Sequence, residues 1–410
     1  MDLHDGSPFW PTRDGLPNVF PPLPGDIRTD VVVVGGGITG ALVALELTDR
    51  GHEVVVIDRR HIATGSTSAS TAMLQYEIDE LLIDLADAYG EESAMTCYQE
   101  CGRAIDLVRR AAEISDARCG FRMSPSVYVA TGRRSAVRLQ EELDARKSAG
   151  FEVAWLGETE LYRRWGLVGT GAIESALGAS VDPYALAHAA LALVSKRGSV
   201  VADRTEVTHF ETTARRVRLT TGRGTITAKW CVIATGYEVT ALLPSLRVGL
   251  HSTFAFASEP VAGLERTYPD GLLFWEHADP YLYGRTTDDG RVLIGGRDEP
   301  YRDPRRRGRA IPSKIRALRV AAERRLPRIA LEPAFSWAGT FAVTPDGLPY
   351  IGLHRDAPRC LFALGFGGNG ITYSALAAEY LADAIAGSMP EAAKGFRLDR
   401  SMNEPRKLEK

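Results

Sequence analysis

Residues 30–58 read DVVVVGGGITGALVALELTDRGHEVVVID. Four valines run into Gly35, Gly37 and Gly40 at G-x-G-x-x-G spacing. A helix-period stretch follows, and a second β-branched run closes on Asp58. Alone, the glycine triplet says little. Here it follows a strand pattern, opens a helix pattern and has an acid at the end of the next strand, the context a dinucleotide-binding turn requires. Gly35 permits the tight turn, Gly37 lets backbone approach a pyrophosphate, and Gly40 lets helix and strand pack closely. Ile38 and Thr39 open the helix, whose positive end favours a diphosphate. Asp58, followed by Arg59, is placed to accept from ribose hydroxyls and to repel a 2′-phosphate, which argues against NADP. The competing reading is a parallel α/β sheet whose glycines serve packing only.

A chain of 410 residues is too long for one hydrophobic core, so two domains, in series or interleaved, are expected. Its 45% apolar and 25% charged residues are ordinary for a globular protein. A formal net charge of −3 gives no whole-chain attraction to nucleic acid or anionic membrane. The five cysteines form no CxxC pair, so neither a metal site, an iron–sulfur cluster nor a disulfide-reductase centre is expected. No basic start leads into an apolar stretch, and no run approaches the roughly 20 apolar residues that span a bilayer. A reducing, cytoplasmic location is the expectation.

Three later segments extend the first. Between Thr64 and Thr71 stand six hydroxyl residues. They serve either as caps and turns or, with Ala72, as donors along a pyrophosphate and a flavin edge; Ser66, Thr67, Ser70 and Thr71 are the candidates. Residues 205–237 alternate as a meander containing Val207 and end in a buried strand followed by Ala234, Thr235 and Gly236. Residues 360–387 give a strand, a glycine-rich loop and an amphipathic helix. Gly367, Gly368, Asn369, Gly370, Ile371 and Thr372 there repeat the opening logic, aimed at a group that becomes negative, unless the glycines only pack.

In this order, PPLPGDIRTDVVVVGGGITG, GSTSASTA, SVDPYALAHAAL, VIATGY, TPDGLPYIG and GFGGNGIT resemble the D-amino-acid oxidase-like superfamily of FAD-dependent amine and amino-acid oxidoreductases. The N-terminal FW, the proline-rich arm and ATGY are most similar to its γ-glutamylputrescine oxidase branch, with glycine oxidase and sarcosine oxidase also near. The resemblance implies an α/β protein, α+β overall: a Rossmann-type FAD-binding domain interleaved with a mixed-sheet substrate domain. Residues 1–27 form an arm. The FAD domain takes 28–80, 170–240 and 340–410, and the substrate domain 81–169 and 241–339. FAD and a small-molecule amine are implied, with oxygen or another electron acceptor.

In such enzymes the cofactor performs the difficult step, a hydride equivalent passing from the carbon beside a neutral amine to flavin N5. No catalytic acid or base is assigned. Gly339 and Thr340 are expected beside the flavin. Departures from the family carry most of the information. Relatives that bind an amino-acid carboxylate often have an arginine shortly after Trp-x-Gly; here Trp337-Ala338-Gly339 leads to Thr340, Phe341 and Ala342. A second family arginine aligns with Gln75. Both absences make a simple amino acid the poorer substrate. Thr340 and Ala69 stand where relatives attach flavin through cysteine or histidine, so the FAD should be non-covalent. Leu293 stands where some oxidases have a lysine for reaction with oxygen, which leaves a dehydrogenase open. Some similar proteins add a Rieske domain, whose Cys and His ligands are not among these residues.

Pocket candidates are Gln75, Glu77, Trp275, Tyr281, Tyr283 and Arg285. Glu77 and Asp79 offer a carboxylate that attracts a cationic amine, unless Glu77 is a solvated surface acid. Arg285 reads either as a ligand for a distal carboxylate or as a satisfied structural arginine. Residues 281, 283 and 285 should share one side of a strand. The basic stretch 301–329 reads as a solvated helix with Ile315, Leu318 and Ala322 inward, or as a docking surface for an acidic partner. The alternatives to amine oxidation are an amino-acid or N-methyl-amino-acid oxidase or dehydrogenase, and a non-catalytic flavin-binding regulatory protein.

Overall fold

The computed structural model describes residues 2–241 and 248–400. Met1, residues 242–247 and the tail 401–410, assigned above to the arm, the substrate domain and the FAD domain, lie outside them. Two large sheets carry the fold. The first has eight strands, with Val54–Ile57, Ile27–Val34, Gly224–Ile233 and Cys360–Leu364 running parallel side by side and Val200–Ala202 beyond Val54–Ile57. Val31, Val32 and Val33 are wholly buried, as expected of parallel strands covered on both faces. The helices Ile38–Asp49, Pro183–Lys196 and Gly370–Ile385 pack together against this sheet. The Pro183 helix is started by Asp182, whose carboxylate accepts from the N–H groups of Tyr184 and Ala185.

The second sheet has nine strands, in the order His4–Gly6, Pro333–Val343, Gly249–Ser258, Val292–Glu299, Leu282–Thr286, Leu273–His277, Ser126–Ala130, Gly171–Ser175 and Val153–Leu156. Strand periodicity decides its two faces. Phe254, Phe256, Val292 and Ile294 pack under the helix Pro304–Arg325 through Ile315, Leu318 and Ala322, the three residues read as inward-facing. Ala255, Ala257, Leu293 and Trp337, on the opposite side, join the core of the dinucleotide domain.

The sheets redraw the expected boundaries. Gly171–Ser175, placed above in the FAD domain, is a strand of the nine-stranded sheet, and Pro333–Val343 continues in that sheet beyond 340. The helix Glu91–Ile114 packs against Gly370–Ile385 on the FAD side. The arm is not separate either, since His4–Gly6 forms the edge strand beside Trp337–Gly339. Among the described residues, no helix is long and apolar enough to cross a membrane, and no group of His, Cys, Asp and Glu could hold a metal ion.

Candidate functional site

A cavity of about 480 Å³ lies where the first two parallel strands end. Its wall includes Gly35, Gly37, Ile38, Thr39, Asp58, Arg59, Ser66, Thr67, Ser70, Val207, Thr235, Gly236, Gly370 and Ile371, all expected cofactor contacts. The helices beginning at Ile38 and Gly370 bring their N-terminal turns to the same space, tied by a 2.7 Å bond between the Thr39 and Ser374 hydroxyls. Two positive helix ends and a hydroxyl-rich loop make a site for a diphosphate. At Gly40 a Cβ would run into the Gly35 carbonyl, so this glycine permits the close approach. Asp58 is held under the turn by the N–H groups of Gly36 and Arg60, each at 2.8 Å. Burial raises its pKa, and those two N–H bonds oppose the shift.

The loop 64–71 is aimed by what takes its carbonyls. Trp337 Nε1 donates to Ala69 O at 2.8 Å, Trp10 Nε1 to Ser70 O at 2.7 Å, and Arg285 Nε to Thr71 O at 2.6 Å. With three consecutive acceptors held from outside, the loop turns Ser66, Thr67 and Ser70 toward the cavity. The donor set fits FAD. Thr235 supplies a buried hydroxyl without a protein partner on the cavity wall, and at Gly37 a Cβ would come within 3.0 Å of the Thr67 hydroxyl.

The remaining expected contacts lie off this wall. Gly367 and Gly368 face Asp79, whose Oδ2 accepts from the Gly368 N–H at 2.9 Å. Asn369 donates its amide to Glu77 O, and Thr372 caps back to Asn369 O. Ala234 backs Gly35, while Thr71 and Ala72 continue into the short sheet at Met73–Leu74. Gly339 lies toward Ala69, but the neighbouring Thr340 hydroxyl accepts from the buried Arg307, which explains its absence from the cavity wall.

Beside the cavity, the FAD-facing side of the large sheet carries one aligned row: Tyr128, Trp275, Tyr283, Gly295, Ala255 and Trp337. The Tyr283 ring lies over Gly295 and leaves no room for a Cβ there. Tyr281 stacks loosely on Tyr283 at 5.8 Å, and Tyr128 on Trp275 at 5.3 Å. Tyr281 donates to Asp298 Oδ2 at 2.7 Å, while Asp298 Oδ1 is buried without a partner. Burial raises the pKa of Asp298, whereas Asp79 is exposed, with the Gly368 N–H on its Oδ2. The Asp79 charge in turn acts on the hydroxyls of Tyr237, Tyr281 and Tyr283. Asp79 is the neighbour of Glu77 expected to offer a carboxylate to an amine, whereas Asp298 and Tyr237 are not among the expected pocket residues. The only sequence signal for Asp298 is its closeness to RVLIGG.

Two expected pocket residues are committed elsewhere. Arg285 shares its side of the strand with Tyr283, as alternation requires, but it is 3% exposed, donates to Thr71 O and Val181 O, and lies over Trp10. Burial draws its pKa down to about 10, which leaves it charged near neutral pH. Glu77 is 2% exposed and is not a surface acid: its Oε1 meets Arg146 at 3.1 Å, and Arg146 also holds Glu142 at 2.7 Å. Gln75 donates to Glu77 O at 3.2 Å. Burial raises the Glu77 carboxyl to about 7, against the pull of Arg146. Between about pH 4.5 and 7 the folded chain therefore keeps a proton that the unfolded chain releases, so this residue's contribution to stability falls as pH rises through that window. Glu77→Gln is expected to flatten that part of the stability–pH curve, measured by urea unfolding at several pH values.

A dinucleotide turn, a third layer ending in Ala-Thr-Gly and an aromatic-faced mixed sheet beside them define a two-domain flavoprotein oxidoreductase. Residues 30–384 match the family described as DAO, FAD dependent oxidoreductase, and the chain belongs to it. It is an FAD-dependent oxidoreductase. It is 28% identical over 380 residues to glycine oxidase of Bacillus licheniformis, covering 88% of this chain and 94% of that one. It is 25% identical over 377 residues to γ-glutamylputrescine oxidoreductase of Escherichia coli K12, covering 90% and 86%. A putative Rieske 2Fe-2S protein of Bacillus subtilis is 25% identical over 382 residues, covering 92% of this chain and 72% of that one. The fold matches the crystal structure of glycine oxidase from Geobacillus kaustophilus with a TM-score of 0.75 at 23% identity, over 92% of this chain and all of the other.

Proposed function

We propose that the protein oxidises the C–N bond of a small cationic amine, a γ-glutamylputrescine-like amine being one candidate. The observation that carries this reading is the charge beside the aromatic row. Asp298 accepts from the Tyr281 hydroxyl and the Asp79 charge acts on Tyr281 and Tyr283, while the nearby guanidinium groups of Arg285 and Arg146 are spent on carbonyls and on glutamates. Among the described residues, neither of these two arginines is left to hold an α-carboxylate bidentately. A carboxylate beside tyrosine faces suits an ammonium group, by charge and by cation–π attraction.

FAD, when bound, accepts the hydride equivalent. The chain's part is to hold and neutralise the amine. Tyr281 and Tyr283 flank it, and Asp298 Oδ1, free of any partner and raised in pKa, is the atom suited to take the ammonium proton. The helix ends at Ile38 and Gly370 would hold the cofactor's negative groups. Ala69 and Thr340, on adjoining segments, offer no cysteine or histidine, which supports non-covalent FAD.

Anaerobic bleaching of the flavin by a panel of amines tests the proposal. Polyamine derivatives should bleach it. Bleaching by glycine, sarcosine or D-alanine, with none by any polyamine derivative, would favour the amino-acid reading instead.

A further inference from the structure

We infer that residues 2–7 are part of the FAD site, a strap that ties the hydroxyl-rich loop to the large sheet and slows release of the cofactor. The segment makes contacts on three sides. Leu3 is 8% exposed, stands in the cavity wall and packs over Gly65, the residue that opens the Ser66–Ala69 turn. The His4 ring nitrogen Nε2 lies 3.1 Å from Thr64 O on the same loop. On the other side the strand pairs with Trp337–Gly339, extended by the Thr340 N–H donating to Leu3 O at 2.8 Å and the Ser7 N–H donating to Ser336 O at 2.9 Å.

Underneath, Arg307 is wholly buried. It holds Asp5 Oδ2 at 2.6 Å and Asp2 O at 2.8 Å, and its third donor group goes to the Thr340 hydroxyl. A buried arginine is expensive to leave unpaired, so the helix Pro304–Arg325 gains from keeping the strap closed. Gly6 fixes the register. Its φ of 81° favours glycine, and a Cβ would press on the Ser336 carbonyl. The cofactor loop belongs to one domain and Trp337–Thr340 to the other, so the strap bridges both across the cavity wall.

Release can be followed as the rise of free-FAD fluorescence after dilution of the holoprotein. The wild type is compared with Leu3→Ala, which removes the wall contact, with Gly6→Ala, which displaces the strand without touching the wall, and with Asp5→Asn, which weakens the Arg307 anchor at a residue 26% exposed on its side chain. Circular dichroism and thermal unfolding of each apoprotein report whether the fold is kept. Release about tenfold faster in Leu3→Ala and in at least one of the two anchor variants is the expected result. Wild-type release in all three overturns the strap, and so does faster release in Leu3→Ala alone, since Leu3 would then be a plain wall residue. If Gly6→Ala does not fold, Asp5→Asn decides between these outcomes.

Discussion

Arg146→Met is expected to destabilise the folded protein by about 3–5 kcal/mol, the cost of stripping the partner from buried carboxylates. Arg146 is 0% exposed, and so is Glu142; Glu77 is 2% exposed. The guanidinium is surrounded by the rings of Tyr76, Tyr98 and Tyr128, with its centre 5.6–5.9 Å from each. Methionine fills much of the volume but takes the cation from a dry site, where Glu77 then holds a proton and the Glu142 carboxylate is left without a counter-charge. Glu142 also accepts from the N–H groups of Leu82 and Ile83, so it cannot turn away to solvent. Glu77→Gln should cost far less, about 1 kcal/mol, because Arg146 and Glu142 remain as a neutral pair and the amide keeps an acceptor. The midpoint of the first urea-unfolding step measures both. Equal losses in the two variants would show that packing, not charge balance, sets the cost. Because Glu77 O receives the amides of Gln75 and Asn369, Arg146→Met should also loosen FAD through the Gly367–Gly370 loop.

What the sequence made legible is what depends on neighbouring residues. The turn at Gly35–Gly40 is local: strand, glycine spacing, helix and closing acid all fall within 29 residues, and the cavity forms around them. Alternation placed Tyr283 and Arg285 on one side of a strand, and the helix period placed Ile315, Leu318 and Ala322 inward. The fates of Glu77 and Arg285 were not legible. Their partners lie 69 and 214 residues away, and a backbone carbonyl such as Thr71 O carries no sequence mark. One signal was available. Glu142 and Arg146 are four residues apart on a helix, on the face that carries Leu139 and Leu143, and a charged pair at that spacing among buried leucines points to an inward ion pair. Sheet membership is hidden for a similar reason. Gly171–Ser175 reads as a strand, but nothing within it says which of two sheets it joins.

Asp298→Asn should weaken binding of amines that carry a second, distal ammonium by about ten- to hundredfold, the worth of roughly 1.5–3 kcal/mol for a hydrogen bond to a charged group. The carboxylate is held by the Tyr281 hydroxyl on Oδ2, while Oδ1 has no partner among the described residues. Asparagine keeps the shape and an acceptor for Tyr281 but removes the charge. Asp79 would remain, held by the Gly368 N–H, so binding is expected to weaken without being abolished. A monoamine of matched length separates the two roles proposed for Asp298. If the carboxylate reads distal charge, the diamine loses more than the monoamine in anaerobic flavin-bleaching titrations. If it only takes the proton from the reacting amine, both keep their binding constants, and the variant's bleaching rate instead falls and recovers as pH rises and more of the free amine is neutral. Tyr281→Phe leaves the charge but frees Oδ2, and should weaken the diamine by only a fewfold. An unchanged diamine-to-monoamine ratio in Asp298→Asn, with unchanged bleaching rates, would remove Asp298 from both roles and leave Asp79 as the carboxylate to test.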